Sequence, residues 1–220
     1  MHYTGMQSCA AAVARLTDPA ARVSSHYTID EDGTIYAHVA EEMRAWHAGV
    51  SHWRGESDIN SRSVGIEIVN PGHEFGYRAF PAAQIAAVRE LGLAIVARHR
   101  IPARNVIGHS DIAPGRKTDP GELFPWKQLA QAGLGLWVEP AVAGDAVLRH
   151  SDTGERVTAL QAALAKYGYG IEANGTFDDW TATVIGAFQR HFRPARFDGV
   201  ADGETQAILA ALIDALDRVA

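Results

Sequence analysis

The chain has 220 residues, of which 47% are hydrophobic and 21% charged, the composition of one medium or two small globular domains. Its formal net charge of −6 argues against a nucleic-acid partner, because such a partner requires a basic face to neutralise phosphates. The sequence contains no run of about 18 apolar residues, so we expect no transmembrane segment.

The first residues and the cysteine content leave the compartment open. The chain begins Met1-His2, without the charged and apolar regions of a secretory signal peptide. We therefore expect either a cytoplasmic protein or a chain whose natural start lies upstream. The single cysteine, Cys9, cannot form an internal disulfide. We expect it to be a buried small residue and not a nucleophile, because nothing nearby in sequence would lower its thiol pKa.

Two short β-type runs near the N-terminus predict a hairpin. Residues 26–30 and 34–39 flank the sequence EDG (31–33), which favours a tight turn. This acidic turn also resembles part of a calcium loop, but the further oxygen ligands and the glutamate of such a loop are missing downstream. We therefore interpret 26–39 as a hairpin.

The rest of the first half combines strands with a long helix. The β-rich runs 64–69, which contains Glu67, and 105–109 predict two further strands. Between them, Pro81 opens an amphipathic helix that extends to His99. Strands interleaved with helices predict an α/β fold with a mixed central sheet flanked by helices.

The chain changes character near residue 140. Residues 133–145, rich in Gly, Ala, Val and Pro, predict a linker. Beyond it, apolar residues recur at helical spacing in three segments: 155–167, 178–192 and 202–219. Turns with Gly and Asp precede these helices, where side-chain oxygens can cap free amides. We therefore divide the chain into an α/β domain, 1–137, and a small all-α three-helix domain, 145–220.

His109 and Asp119 form the most suggestive pair for a metal site. A rigid loop rich in Pro and Gly connects them. Two histidines and a carboxylate are a common zinc ligand set, with the fourth position open for water. Because the sequence contains ten histidines, spacing alone does not identify a second histidine ligand.

Four separated motifs follow one another in a recognisable order. They are HYT (2–4), AWHAGV (45–50), SVGIEIVN (63–70) and GHSDIAPGRKTDPG with LFPW (108–126). In these motifs the chain resembles the bacterial zinc-dependent N-acetylmuramoyl-L-alanine amidases, whose superfamily includes the animal peptidoglycan recognition proteins. The resemblance covers residues 1–137 and is highly specific.

The resemblance implies a role for each matching residue. His2, His109 and Asp119 would bind Zn²⁺, Glu67 would act as the general base, and Lys117 would stabilise the oxyanion of the transition state. Glu67 fits this role, since burying a glutamate inside a β-run without a function would cost free energy.

Other residues of the same motifs receive weaker assignments. We expect Trp46 and His47 to bind substrate as a wall of the cleft, with Trp46 packed beneath His47. His47 and His26 are the rival metal ligands, and we interpret His26 as a packed or hydrogen-bonded strand residue. We expect Arg116 to lie at the solvated surface.

The second half resembles the three-helix peptidoglycan-binding domain found beside many wall hydrolases. The matching positions are Gly154, Val157, Leu160, Gln161, Leu164, 167–169, 175–178, 188–189, 198–199 and 202–203. Most are core and turn positions, so the match specifies the fold better than a ligand. The segment 191–197 departs from the shorter, more apolar connection usual in that domain.

The expected function is therefore zinc-dependent hydrolysis of the amide between N-acetylmuramic acid and L-alanine, by a monomer acting on peptidoglycan or muropeptides. A non-catalytic recognition protein and a hydrolase of a stem-peptide bond are the alternatives. A wall-binding domain favours the cell envelope or periplasm, whereas the missing signal favours the cytoplasm. Because the strand that normally leads into HYT is absent before His2, we expect a natural start upstream.

Overall fold

The computed structural model describes residues 1–139 and 144–218. They divide into two units, each built from three chain segments that alternate along the sequence. The first unit contains Met1–Ser51, Asp58–His109 and Asp119–Leu136. The second contains His52–Ser57, Ser110–Thr118 and the described residues from Trp137 onward.

A four-stranded mixed sheet forms the centre of the first unit. Its strands are β1 His2–Tyr3, β2 Tyr27–Ile29, β3 Ile35–Ala37 and β4 Ile66–Ile68. They lie in the order β1-β4-β2-β3, with β4 parallel to both β1 and β2 and with β2 antiparallel to β3. The predicted mixed sheet and the hairpin are therefore confirmed.

The turn of the hairpin depends on a glycine. Gly33 adopts a φ of 91°, a conformation that favours glycine, and its N–H donates to the carbonyl of Asp30. Across the sheet, Glu67 pairs with His2 on one side and with Thr28 on the other. Since paired residues point to the same face of a sheet, Glu67 and His2 share a face.

The α-helices that begin before residue 130 are α1 Cys9–Thr17, α2 Gly72–Phe75, α3 Ala82–His99, α4 His109–Ile112 and α5 Trp126–Gln131. All of these belong to the first unit except α4, which after His109 lies in the second. The long helix α3 confirms the predicted amphipathic helix, and it buries Ile85, Val88 and Ile95. On the same buried face, the Gln84 side chain donates to the carbonyls of Ile29 and Val69, which fixes α3 to the sheet.

The strand predicted at 105–109 is wrong. These residues contain the end of a short 3-10 helix, an extended connection and the first residue of α4, so His109 begins a helical turn and does not end a strand. Met1 bonds to this stretch in strand-like fashion: its ammonium donates to the Ile107 carbonyl, and its own carbonyl accepts from the His109 N–H. Two bonds to one residue do not make a ladder.

The second unit contains the three helices predicted for the C-terminal half. They are α6 Glu155–Tyr167, α7 Asp179–Phe192 and α8 Gly203–Asp217. As expected, aspartates cap two of them: Asp178 accepts from the Thr181 N–H, and Asp202 from the Thr205 N–H. Of the predicted linker and last helix, residues 140–143 and Val219 lie outside the described residues.

A hydrogen-bonded turn occurs twice in this unit. The buried Gln161 side chain donates to the Thr176 carbonyl and to Thr181 Oγ1, and accepts from the Gly175 N–H. The buried Gln189 repeats this pattern at Val200, Thr205 and Gly199.

No helix in the part of the chain that the structure describes is long and apolar enough to cross a membrane.

Candidate active site

Three buried side chains from distant parts of the sequence converge in the first unit. His2 belongs to β1, His109 begins α4, and Asp119 follows the loop after α4. The His2 and His109 Nδ1 atoms lie 2.9 Å apart, and Asp119 Oδ2 lies 3.0 Å from the first and 3.1 Å from the second. These three side chains form a group with the donor atoms and the spacing to hold a metal ion.

The hydrogen bond that His109 makes on its outer side indicates that its inward nitrogen is an acceptor. His109 Nε2 lies 2.9 Å from the Ala48 carbonyl, which can only accept, so Nε2 carries the proton and Nδ1 of a neutral ring carries a lone pair. Lone pairs and a carboxylate that face one another repel unless a cation lies between them. Two imidazole nitrogens and one carboxylate therefore fit a zinc ion.

The pKa values of His2 and Asp119 favour a neutral imidazole beside an ionised carboxylate. Burial and the neighbouring His109 lower the pKa of His2 to about 3, so its ring is neutral near pH 7. Burial alone would raise the pKa of Asp119, but the adjacent His109 and His2 side chains outweigh this effect and hold the pKa well below its ordinary range. Neutral imidazoles and an ionised carboxylate are the forms that bind a metal.

The two remaining catalytic candidates lie in different units. Glu67 is half-buried on β4, paired in register with His2. Lys117 belongs to the segment Ser110–Thr118 of the second unit, where it is partly exposed and its backbone N–H donates to the Ala113 carbonyl. The structure therefore brings Glu67 next to a predicted ligand, whereas Lys117 is part of the other unit.

A family model described as N-acetylmuramoyl-L-alanine amidase matches residues 1–122, more than half of the chain. The chain belongs to this family. A second model, for a peptidoglycan-binding domain, matches residues 153–209 of the amidase. The N-acetylmuramoyl-L-alanine amidase AmiD of Escherichia coli K12 is 41% identical over 231 residues, which cover 97% of this chain and 81% of that protein.

Solved structures of relatives share the fold over nearly the whole described chain. One is a complex of AmiD from E. coli with the substrate anhydro-N-acetylmuramic acid-L-Ala-D-γ-Glu-L-Lys, with a TM-score of 0.83 and 38% identity over 97% of this chain and 87% of that one. Another is AmpDh3 from Pseudomonas aeruginosa with anhydromuramic pentapeptide, with a TM-score of 0.83 and 38% identity over 98% and 90%. This chain is therefore an N-acetylmuramoyl-L-alanine amidase with an α/β fold and an added helical region.

His47 of the amidase lies beside the candidate metal ligands. Its Nδ1 is 3.1 Å from His2 Nε2, and burial together with His2 lowers the pKa of His47 to about 2. A Cβ at Gly65 would lie only 2.4 Å from Cγ of His47, so this ring needs a glycine behind it. A neutral His47 that contacts the outer nitrogen of His2 can fix the orientation of that ring.

The Trp46 side chain does not take the position predicted for it beneath His47. Its side chain is 55% exposed, and the Arg44 guanidinium lies 4.4 Å from its ring centroid. The prediction that Trp46 packs beneath His47 is therefore wrong, because its indole faces solvent. Trp46 instead lines a surface cavity of about 430 Å³ with Leu16, Val23 and other residues of 16–24.

The other assignments of the amidase can be compared directly with the structure. His26 is buried, accepts at Nδ1 from the Gly65 N–H and donates from Nε2 to the Met43 carbonyl, so it is the hydrogen-bonded residue expected. Arg116 is exposed, as expected. Cys9, the first residue of α1, is only half-buried, so the prediction of a buried residue is wrong. Asp30 lies close to its thiol. Burial and that aspartate raise its thiol pKa to about 11, which excludes a thiolate nucleophile near pH 7.

Sequence reasoning missed two groups of buried polar residues in this amidase. Asn60 Oδ1 accepts from the N–H groups of His47 and Ala48, which holds the loop behind the metal-ligand group. In the second unit, Asp111 bonds to Tyr169 and His191. The unusual composition of 191–197 was the only signal for the second group, and a local pattern cannot name a partner 80 residues away.

Proposed function

We propose that this amidase uses a zinc ion to hydrolyse the amide between N-acetylmuramic acid and L-alanine in peptidoglycan or muropeptides. The observation that carries the proposal is the buried convergence of His2, His109 and Asp119, whose ligand atoms lie within 3.1 Å of one another. The substrate complexes of AmiD and AmpDh3, each 38% identical to this chain, support an anhydromuropeptide as one substrate.

In this proposal, His2, His109 and Asp119 would hold the zinc ion. Zinc bound there supplies a Lewis acid, which lowers the pKa of water and polarises an amide carbonyl. The Ala48 carbonyl and His47 hold the outer nitrogens of the two rings and so orient both ligands.

Glu67 is the proposed general base. It is the in-register neighbour of His2 and is half-buried, which places a carboxylate beside the ligand group while leaving access for water. The Glu67 carboxylate would take the proton from the attacking water and deliver it to the leaving amine of L-alanine. The Lys117 ammonium is proposed to stabilise the negative charge that develops on the amide oxygen.

We propose two further assignments on the basis of the domain match. Residues 1–137 would be the catalytic domain, with Trp46 and His47 binding substrate, and 145–220 would bind peptidoglycan, as the match at 153–209 supports. A wall-binding region raises the local concentration of the enzyme only near the polymer, which favours action in the cell envelope. We propose that the enzyme acts there as a monomer. Fractionation of cells that produce the natural gene product tests the location, and recovery in the cytoplasm alone contradicts it.

Metal analysis tests the proposed function. We expect one zinc ion per purified chain, loss of muropeptide cleavage after chelation, and recovery when zinc is added back. Asp119→Asn should lower zinc affinity and activity together, because it removes the carboxylate from the ligand set. His150→Ala changes an exposed histidine as the matched control and should keep both. A fully active protein without metal would refute the proposal.

A further inference from the structure

A carboxylate in the second unit is buried between two donors from the helical region. Asp111 is only 1% exposed. Its Oδ1 accepts from the Tyr169 hydroxyl at 2.7 Å, and its Oδ2 lies 2.7 Å from Nδ1 of His191. Both partners are themselves buried, Tyr169 just after α6 and His191 near the end of α7.

Such a carboxylate fixes the backbone that carries it. A buried charge is tolerated only where hydrogen bonds satisfy it, so Asp111 cannot leave Tyr169 and His191 without a large loss of free energy. The two donors are in turn held rigidly. The Tyr169 ring lies 5.3 Å from the ring of Trp53 and 6.2 Å from that of Phe188, and the His191 ring stacks on Phe192 at 3.9 Å.

The anchored backbone leads directly to Lys117. Next to Asp111, the Ile112 carbonyl accepts from the His52 N–H at 2.8 Å, and the Ile112 side chain is buried. Ala113 is buried as well, and its carbonyl accepts from the Lys117 N–H at 3.0 Å. A continuous set of contacts therefore runs from the buried carboxylate to the backbone of Lys117.

We infer that Tyr169 and His191 are positioning residues, which hold the segment Ser110–Thr118 so that Lys117 can act on the developing oxyanion. This inference rests on the role proposed for Lys117. The helical region would then have a second function, the positioning of Lys117, besides the proposed binding of peptidoglycan. This positioning also explains the departure at 191–197, since His191 there serves Asp111 and not the core of the helical region alone.

The test measures cleavage of a small soluble anhydromuropeptide by the full-length zinc-loaded enzyme. Tyr169→Phe and His191→Ala each remove one donor to Asp111. We expect kcat to fall about 10- to 100-fold, as for a catalytic group displaced by about 1 Å, while KM and the zinc content stay close to those of the parent. His191→Asn keeps an N–H near the position of Nδ1 and should recover most of the activity.

A double-mutant cycle with Lys117→Ala separates positioning from general stability. If Tyr169 acts through Lys117, Tyr169→Phe should cause no further loss of kcat once Lys117 is alanine. The same fold-loss in both backgrounds would overturn the inference while leaving the role of Lys117 intact. If Lys117→Ala alone keeps the parental kcat, the proposed role of Lys117 fails, and the inference fails with it.

Gln161→Met is the matched control for destabilisation. It removes buried hydrogen bonds of the same unit at Thr176 and Thr181, none of which involves Asp111. It should lower the Tm about as much as Tyr169→Phe does, yet leave kcat per folded molecule unchanged. A loss of kcat in this control equal to that of Tyr169→Phe would show that kcat depends only on the stability of the second unit. That result would overturn the inference.

Discussion

The pairing of Glu67 with His2 places the proposed general base beside a proposed metal ligand. The two residues are register partners on β4 and β1, so they share one face of the sheet, yet of the two only His2 belongs to the group that could hold a metal ion. A substitution of Glu67 therefore tests the proposed proton transfer without removing a proposed ligand.

We predict that Glu67→Gln lowers kcat by about 10²–10⁴-fold and leaves zinc stoichiometry unchanged, because general acid–base groups contribute about that much. Steady-state kinetics and metal analysis of one preparation provide the measurement. Thr28→Val is the matched control, since Thr28 is the other register partner of Glu67 and is buried. A loss below about tenfold in Glu67→Gln would make Glu67 structural and would require another base.

At the scale of elements, Glu41 ties the end of helix α3 to the loop after the hairpin. Its carboxylate accepts from Tyr27, Arg98 and His99, and its side chain is largely buried. The hydrogen bond from Arg98 is the main reason that the pKa of Glu41 is lowered from 4.5 to about 2. A lowered pKa means that the ionised form stabilises the folded state above pH 4.5, and that this stabilisation is lost as the pH falls toward 2.

We predict that Glu41→Gln lowers the free energy of unfolding by about 1–2 kcal/mol at pH 7, a value reduced for solvent screening at the half-exposed Arg98. The difference from the parent should shrink as the pH falls below 4.5. Urea unfolding at several pH values measures it, with Glu42→Gln as the exposed neighbouring control. A difference independent of pH would contradict the assignment.

The repeated turn in the second unit makes two substitutions comparable. Gln161 and Gln189 each bridge a carbonyl, a threonine hydroxyl and a glycine N–H. We predict that Gln161→Ala and Gln189→Ala each cost about 2–4 kcal/mol, because each leaves buried polar groups unsatisfied and a cavity behind. Thermal unfolding provides the measurement. Losses that differ by more than about 2 kcal/mol would show that the two turns are not energetically equivalent.

Local signals predicted the elements that depend on local interactions. The helices after residue 150 begin and end within a residue or two of the predicted positions, because capping aspartates and apolar spacing are written in neighbouring residues. The run 105–109 has β composition, but it contains the end of a 3-10 helix and the first residue of α4, and its bonds to Met1 do not make it a strand. A strand also depends on pairing with a distant segment, which local composition does not specify.

The candidate site illustrates the same limit. His2 and His109 are 107 positions apart, so no local pattern in the sequence connects them. The prediction that both bind the same metal came from the resemblance to a family. The contact of Asp111 with His191 spans 80 positions, and no family motif contains both residues. The exposure of Trp46 depends on the direction of its side chain, which the sequence AWHAGV does not specify.

At the scale of the whole molecule, the two units alternate along the chain. The segment Ser110–Thr118 of the second unit is bounded in sequence by His109 and Asp119, two proposed ligands in the first. A metal that binds only the folded state stabilises whatever unfolds together with its ligands. Because the chain enters and leaves each unit repeatedly, we expect the units to unfold cooperatively.

We predict that removal of zinc speeds amide exchange in the helices of the second unit as well as in the sheet of the first. Hydrogen exchange followed by mass spectrometry, with and without chelator, measures this for β4, α6 and α7 separately. We expect the protected amides of α6 and α7 to exchange at least about tenfold faster without zinc, which corresponds to about 1.4 kcal/mol. The chelator should have a smaller effect on Asp119→Asn, since that variant lacks one proposed ligand and should bind zinc more weakly. Unchanged protection in α6 and α7, with faster exchange in β4, would mean that the units unfold independently.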